Sequence, residues 1–165
     1  LIKKVYFPRL IIPISATFIN LVDFAIGFLI LIGMMVWYHV VPYWTVMFLP
    51  LFVVVALLTA LSVSLWLSAL NVKYRDVASI VPLMTQLWMF ASPVLYPASL
   101  VPESIRWLYG LNPMAGVIEG FRWTLLGKAP PDWIMVGVSL GVVTTLLLGG
   151  VMFFRRVERT FADVI

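Results

Sequence analysis

The 165-residue chain has no cysteine and a single histidine, His39. The first absence removes disulfides, thiolate chemistry and cysteine-based metal sites. The second leaves no partner for a zinc-type histidine cluster, and His39 lies beside Trp37 and Tyr38, where an interfacial role is expected rather than a metal ligand. Charge is also scarce. Asp, Glu, Lys and Arg make up 11% of the residues, against about 25% in soluble domains. A chain this long can bury a core, but so few charges cannot cover one. No nucleophile with a paired histidine is visible, no metal-spaced cluster, and no phosphate-cradling GxxxxGK[ST]. The sequence therefore nominates no catalytic residue, no metal site and no cofactor of its own. If the protein uses ATP, another chain must bind it.

What is present is apolar. Hydrophobic residues make up 63% of the chain, in continuous runs such as LFVVVALLTALSV. A membrane β-barrel would instead alternate apolar and polar positions. The fold class expected is all-α: a polytopic helical membrane protein, here with four spanning helices. About 20 mostly apolar residues make a span. Four segments qualify: 14–38, 44–70, 77–96 and 133–154. The first two are separated by a tight VVPYW turn with an aromatic belt of Trp37, Tyr38, Tyr43 and Trp44.

Orientation follows from Lys and Arg. Lys3, Lys4, Arg9, Lys73, Arg75, Arg155, Arg156 and Arg159 fall on one side; only Arg106, Arg122 and Lys128 fall on the other, balanced by Glu103, Glu119 and Asp132. Both ends of the chain, including the 155–165 tail, are thus expected in the cytoplasm. In this setting the net charge of +4 sets topology and does not indicate nucleic acid. The opening LIKKVYFPRL, without an initial Met, reads as the middle of a longer protein.

Residues 98–127 predict a helical hairpin on the outer side. Pro102 and Glu103 suit a first helical turn, and Gly110 suits its end. Asn112 and Pro113 open a second helix that Gly127 closes. Along it Val117, Phe121 and Leu125 recur at helical spacing, and Glu119 and Arg122 are placed to pair. The hairpin either rests at the interface or dips inward as a gate over the outer mouth of a pathway.

Polar groups inside spans are few. Asn20 and Asp23 share a face of the first span. They either line a polar path or, for Asp23, lie near the cytoplasmic third in solvent or against a basic residue. Thr59, Ser62, Ser64 and Ser68, with Ala56 and Ala60, suit close helix packing. Trp66, Trp88, Phe90 and Tyr96 are channel-lining candidates, against the alternative of packing or belt positions.

Three stretches taken together, LIKKVYFPRLIIP, LNVKYRDV and RRVERTFADVI, with LNPMAGVIEGFRWTLLG between the last two, resemble the permease subunit of type-2 ABC exporters. The subfamily exports bacterial polysaccharides such as O-antigen, capsule and teichoic acid. The resemblance covers essentially the whole chain. It implies six spans in the complete protein, of which these are the last four. It also implies a homodimer of permeases in the bacterial inner membrane, two cytoplasmic ABC ATPase subunits, and a polyprenyl diphosphate-linked glycan as cargo. Residues 1–12 match the segment that docks into the ATPase; Lys3, Lys4 and Arg9 supply charge to it, and Val5, Tyr6 and Phe7 an apolar plug. Lys73, Tyr74, Arg75 and Asp76 match a second cytoplasmic loop, where the two basic residues meet the ATPase or the substrate diphosphate, or only anchor topology. The hairpin, with Asn112, Glu119 and Arg122, matches two short helices before the last span. Three other readings are a drug or small-lipid permease, a membrane-embedded enzyme acting on lipid-linked sugars, and an ion-coupled transporter working through Asp23. The enzyme would need an acid or histidine cluster at the surface, and only scattered acids are present.

Overall fold

The computed structural model describes residues 11–74, 76–94, 100–127 and 130–162. Among them every regular element is helical: α1 (Ile11–Trp37), a 3-10 turn (Trp44–Phe48) running into α2 (Leu49–Lys73), α3 (Val77–Ala91), α4 (Glu103–Tyr109), α5 (Pro113–Leu126) and α6 (Trp133–Ala162).

Three of these helices are long and apolar enough to cross a membrane: α1, α2 with its leading 3-10 turn, and α6. The third expected span, 77–96, is shorter in the structure. α3 stops at Ala91 and Ser92 is extended (φ −95°, ψ 144°). The cause is local. Ser92 precedes Pro93, whose ring pushes the preceding residue out of helical conformation and whose nitrogen has no proton to donate. Fifteen residues rise about 22 Å, short of a hydrocarbon layer of about 30 Å.

α1 ends on a turn built around the lone histidine. His39 has a left-handed backbone (φ 53°). The His39 amide donates to Val36 O (3.2 Å) and the Val40 amide to Met35 O (2.8 Å), closing the Schellman pattern of a helix terminus. Histidine tolerates this region better than most side chains. Its role here is to stop a helix at the aromatic end of the molecule.

The packed centre is a three-helix unit. α2 lies against α6, and α5 sits against both. Leu65 and Ala69 of α2 meet Phe154 of α6 in one buried cluster, and Ala115 of α5 meets Met135 of α6 in a second. Small residues permit the approach. At Gly120 a Cβ would stand 2.0 Å from the Phe52 ring, and at Gly116 2.7 Å from the Ser139 Cβ. Thr59 and Ser62 are buried on α2, their hydroxyls donating to Val55 O and Thr59 O of their own helix. Ala56 and Ala60 face α1 across an apolar crevice. α1 and α3 lie outside the unit: α1 is exposed along most of its length, and no residue of α3 is buried.

Candidate functional site

Aromatic residues gather at one end of the bundle. Trp44 packs on Phe48, Phe48 on Trp123, and Trp123 edge-on against Trp133, with ring centroids 6.0, 5.5 and 5.5 Å apart. Rings with a polar atom concentrate where a bilayer meets water. From this rim the chain turns back inward. Arg106 of α4 lies 3.9 Å from Asp132 at the start of α6. Gly110, just past α4, accepts through its carbonyl from the Ser139 hydroxyl (3.1 Å), about 9 Å along α6 from Trp133. α5 then climbs back, bringing Trp123 to Trp133 and Gly127 to Tyr43. Gly127 closes α5 in a left-handed conformation (φ 61°), where a Cβ would also lie 2.6 Å from that of Tyr43. α4 and α5 thus form a re-entrant hairpin whose vertex, Gly110–Asn112, lies against α6 with Gly110 buried and Leu111 exposed.

Irregular backbone at such depth is stable only when protein or water satisfies it. Ser139, itself buried, does this. Its hydroxyl donates toward Gly110 O and Asn112 O (3.1 and 3.3 Å) and accepts from the Gly116 amide (3.1 Å). One α6 side chain therefore ties the end of α4 to the first turn of α5. Asp132 performs a similar task at the rim, its Oδ1 accepting from the Ile134 and Met135 amides at the start of α6.

Asn112 works in two directions. Its Oδ1 accepts from the Met114 amide (3.0 Å), capping α5. Its Nδ2 donates to Ala91 O (3.3 Å) at the last residue of α3 and to Ser92 Oγ (2.8 Å) just past it. Ser92 Oγ in turn donates to Trp88 O. Arg122 fastens the same corner from farther along α5: Nη1 donates to Glu119 Oε1 (3.1 Å) and Nη2 to Val94 O (3.1 Å). A helical side chain leans toward the N-terminus of its helix, so Arg122 reaches back to a point near the one Asn112 holds. Ser92 and Pro93 are buried at this corner. The structure thus brings Asn112 and Arg122, the latter paired with Glu119, to the Ala91–Val94 corner that ends α3.

The other residues singled out by sequence are dispersed. Asn20 lines the crevice between α1 and α2, with Thr17, Leu21 and Phe24. Asp23 is exposed on α1. Trp66 packs between α2 and α6, its indole donating to Leu146 O (2.9 Å) and its ring stacked 5.0 Å from Phe153. Trp88 and Phe90 stand exposed on α3. Lys73 ends α2, while Tyr74 and Asp76 are exposed beyond it. Lys3, Lys4, Val5, Tyr6, Phe7, Arg9, Arg75 and Tyr96, with the side chain of Lys73, lie outside the described residues. No cluster of three or more His, Asp or Glu able to hold a metal occurs among the described residues.

Ser92 and Ser139 escape sequence reading. Ser92 carries a signal, the Ser-Pro step that ends a helix. Ser139 carries none, since a serine amid GVSLG looks like any small residue of a span.

Long apolar helices and a re-entrant hairpin define a multi-pass membrane protein. Residues 1–126 match the ABC-2 type transporter family, and the chain belongs to that family. It is similar over its whole length to proteins named O-antigen export system permease protein RfbA: 32% identical to one from Myxococcus xanthus, and 26% and 25% identical to two from Klebsiella pneumoniae. It spans 64% of the length of each of these relatives. The family is one of membrane transport subunits.

Proposed function

We propose that this chain is the membrane-embedded part of an ATP-driven exporter that carries a lipid-linked polysaccharide out across the bacterial inner membrane. The observation that carries this reading is the similarity along the whole chain to O-antigen export permeases. Lys and Arg are divided eight to three, which favours a cytoplasmic side holding the LIKKVYFPRL segment, the 73–76 loop and the tail. On that side two ATPase subunits bind ATP and magnesium and grip the Leu1–Leu10 segments of two permease copies. Lys73 and Arg75 lie where the partner, or the diphosphate of an incoming polyprenyl-linked glycan, would meet the chain. The aromatic rim then faces outward, and the hairpin seals the outer mouth, with Glu119 paired to Arg122 so that neither charge is bare at depth.

The test is complementation. The full-length protein and its ATPase are expressed in a strain lacking its own O-antigen permease, and surface glycan is measured by labelling intact cells. Restored surface glycan that vanishes with a hydrolysis-dead ATPase is the expected result. Surface glycan absent while both proteins reach the membrane would overturn the reading.

A further inference from the structure

α5 is wedged between α2 and α6, and seven of its fourteen residues are buried. A hydroxyl from a neighbouring element holds each of its ends. At the first turn Ser139 of α6 accepts from the Gly116 amide and donates toward the vertex carbonyls. At the last turn Thr45, in the 3-10 turn that leads into α2, donates toward Trp123 O and Thr124 O, 3.1 Å from each. The first amides and last carbonyls of a helix are short of partners within it, so both hydroxyls stand where α5 needs one. Both are shut away from solvent, Thr45 at 3% exposure and Ser139 at 2%. Between these pins the backbone fits closely, with Gly120 under the Phe52 ring of α2 and Gly116 under Ser139. α4 is held to the same helix: Arg106 faces Asp132, and a Cβ at Gly110 would stand 2.9 Å from that of Val138.

We propose that the α4–α5 hairpin has no hinge of its own. It is a fixed part of one body with α2 and α6, and the outer mouth opens only when that whole body moves relative to the second permease copy. The mouth and the second copy rest on the exporter reading above. A flap swinging from the rim would tear the vertex from Ser139. A flap swinging from the vertex would tear the last turn of α5 from Thr45. Either motion leaves buried backbone groups without partners, in a layer with no water to replace them, and pulls two glycines off the side chains that fill the space above them. Elements interlocked in this way shift as a block. Thr45 and Ser139 are positioning residues here. Their contacts are internal to the chain, so they persist whatever else packs around it.

A fixed hairpin and a flap differ in which distances change. Leu111 at the vertex, Leu126 at the far end of α5, Leu58 on α2 and Leu148 on α6 are all exposed in this chain, and the 165 residues contain no cysteine to interfere with labelling. Spin labels are placed in the full-length protein at L126C with L58C, and at L111C with L148C, in labelled copies diluted with unlabelled ones. L126C alone, undiluted, reports the distance between copies. All are read in the ATPase complex in a bilayer, without nucleotide and with ATP trapped by a hydrolysis-dead ATPase. Both distances within one copy are expected to stay constant, while the Leu126–Leu126 distance between copies shifts by more than the width of its nucleotide-free distribution. A change in either distance within one copy would overturn the proposal, because the hairpin would then move on its own. Constancy of all three would overturn it too, because the body would not carry the hairpin anywhere.

The two pins are tested in the permease alone, without the ATPase. Thr45→Val keeps the shape of the side chain and removes the hydroxyl; it should broaden the Leu126–Leu58 distribution more than the Leu111–Leu148 one. Ser139→Ala should do the reverse. Distributions as narrow as in the unsubstituted protein would remove these hydroxyls from the fastening. Equal broadening of both by either variant would mean general loosening and would count against separate pins. The exporter reading is scored separately, by surface glycan: constant distances within one copy, with a shift between copies but no glycan export, support the fixed hairpin and count against the proposed cargo.

Discussion

α2, α5 and α6 on one hand, and α1 and α3 on the other, are all predominantly apolar helices yet differently used. The first three interlock; the other two present Phe18, Leu29, Ile30, Leu83 and Leu87 outward, each more than half exposed. Hydrophobicity does not explain the difference, because lipid tails are as apolar as leucine and give a span no reason to leave them. Shape explains it. Gly116, Gly120 and Gly150 lie directly under Ser139, Phe52 and Trp66, whereas Gly27 and Gly33 of α1 have nothing within 4 Å. Glycine alone does not make an interface; a glycine opposite a protruding side chain does.

Substitutions can break or sharpen this contrast, and we order them by expected size. Gly120→Leu places a side chain where the Phe52 ring already stands and should cost about 3 kcal/mol, read as a large fall in the unfolding midpoint of the full-length protein in detergent. A midpoint within error of wild type would mean that α2 and α5 are not in this contact. Ser139→Ala leaves the Gly116 amide and two vertex carbonyls without their buried partner. The expected loss is about 2 kcal/mol, with proteolysis at residues 110–112 as a second readout. Trp66→Phe keeps the stack on Phe153 but loses the bond to Leu146 O, for about 1 kcal/mol. Leu29→Ala, at a position 67% exposed, should stay within about 0.5 kcal/mol. A loss of several times that would show that α1 is covered in the native assembly and so sharpen the comparison from the other side.

Legibility in the sequence follows the range of the interaction concerned. The long helices are announced by runs of apolar residues, and α5 by chemistry within a few positions: Asn112 before Pro113 at one end and Gly127 at the other. Hydropathy alone carries the expected third span to Tyr96, past Ala91, where the Ser92-Pro93 step ends α3. Val117 and Leu125 are buried at helical spacing, while Phe121 between them turns partly toward Phe24 of α1; periodicity gives a face but not its neighbour. Glu119 and Arg122, three apart, are a readable pair. That Arg122 also holds Val94 is not readable, because 28 positions separate them. Ser139 is the extreme case. Its partners lie 23 to 29 residues away, and only the completed hairpin gives it a purpose.

The short third helix has a physical corollary. A rod about 8 Å shorter than the oily slab cannot reach both faces, and its Ser92 end meets Asn112 of the hairpin through hydrogen bonds. Polar groups therefore stand where a full-length span would carry only apolar ones.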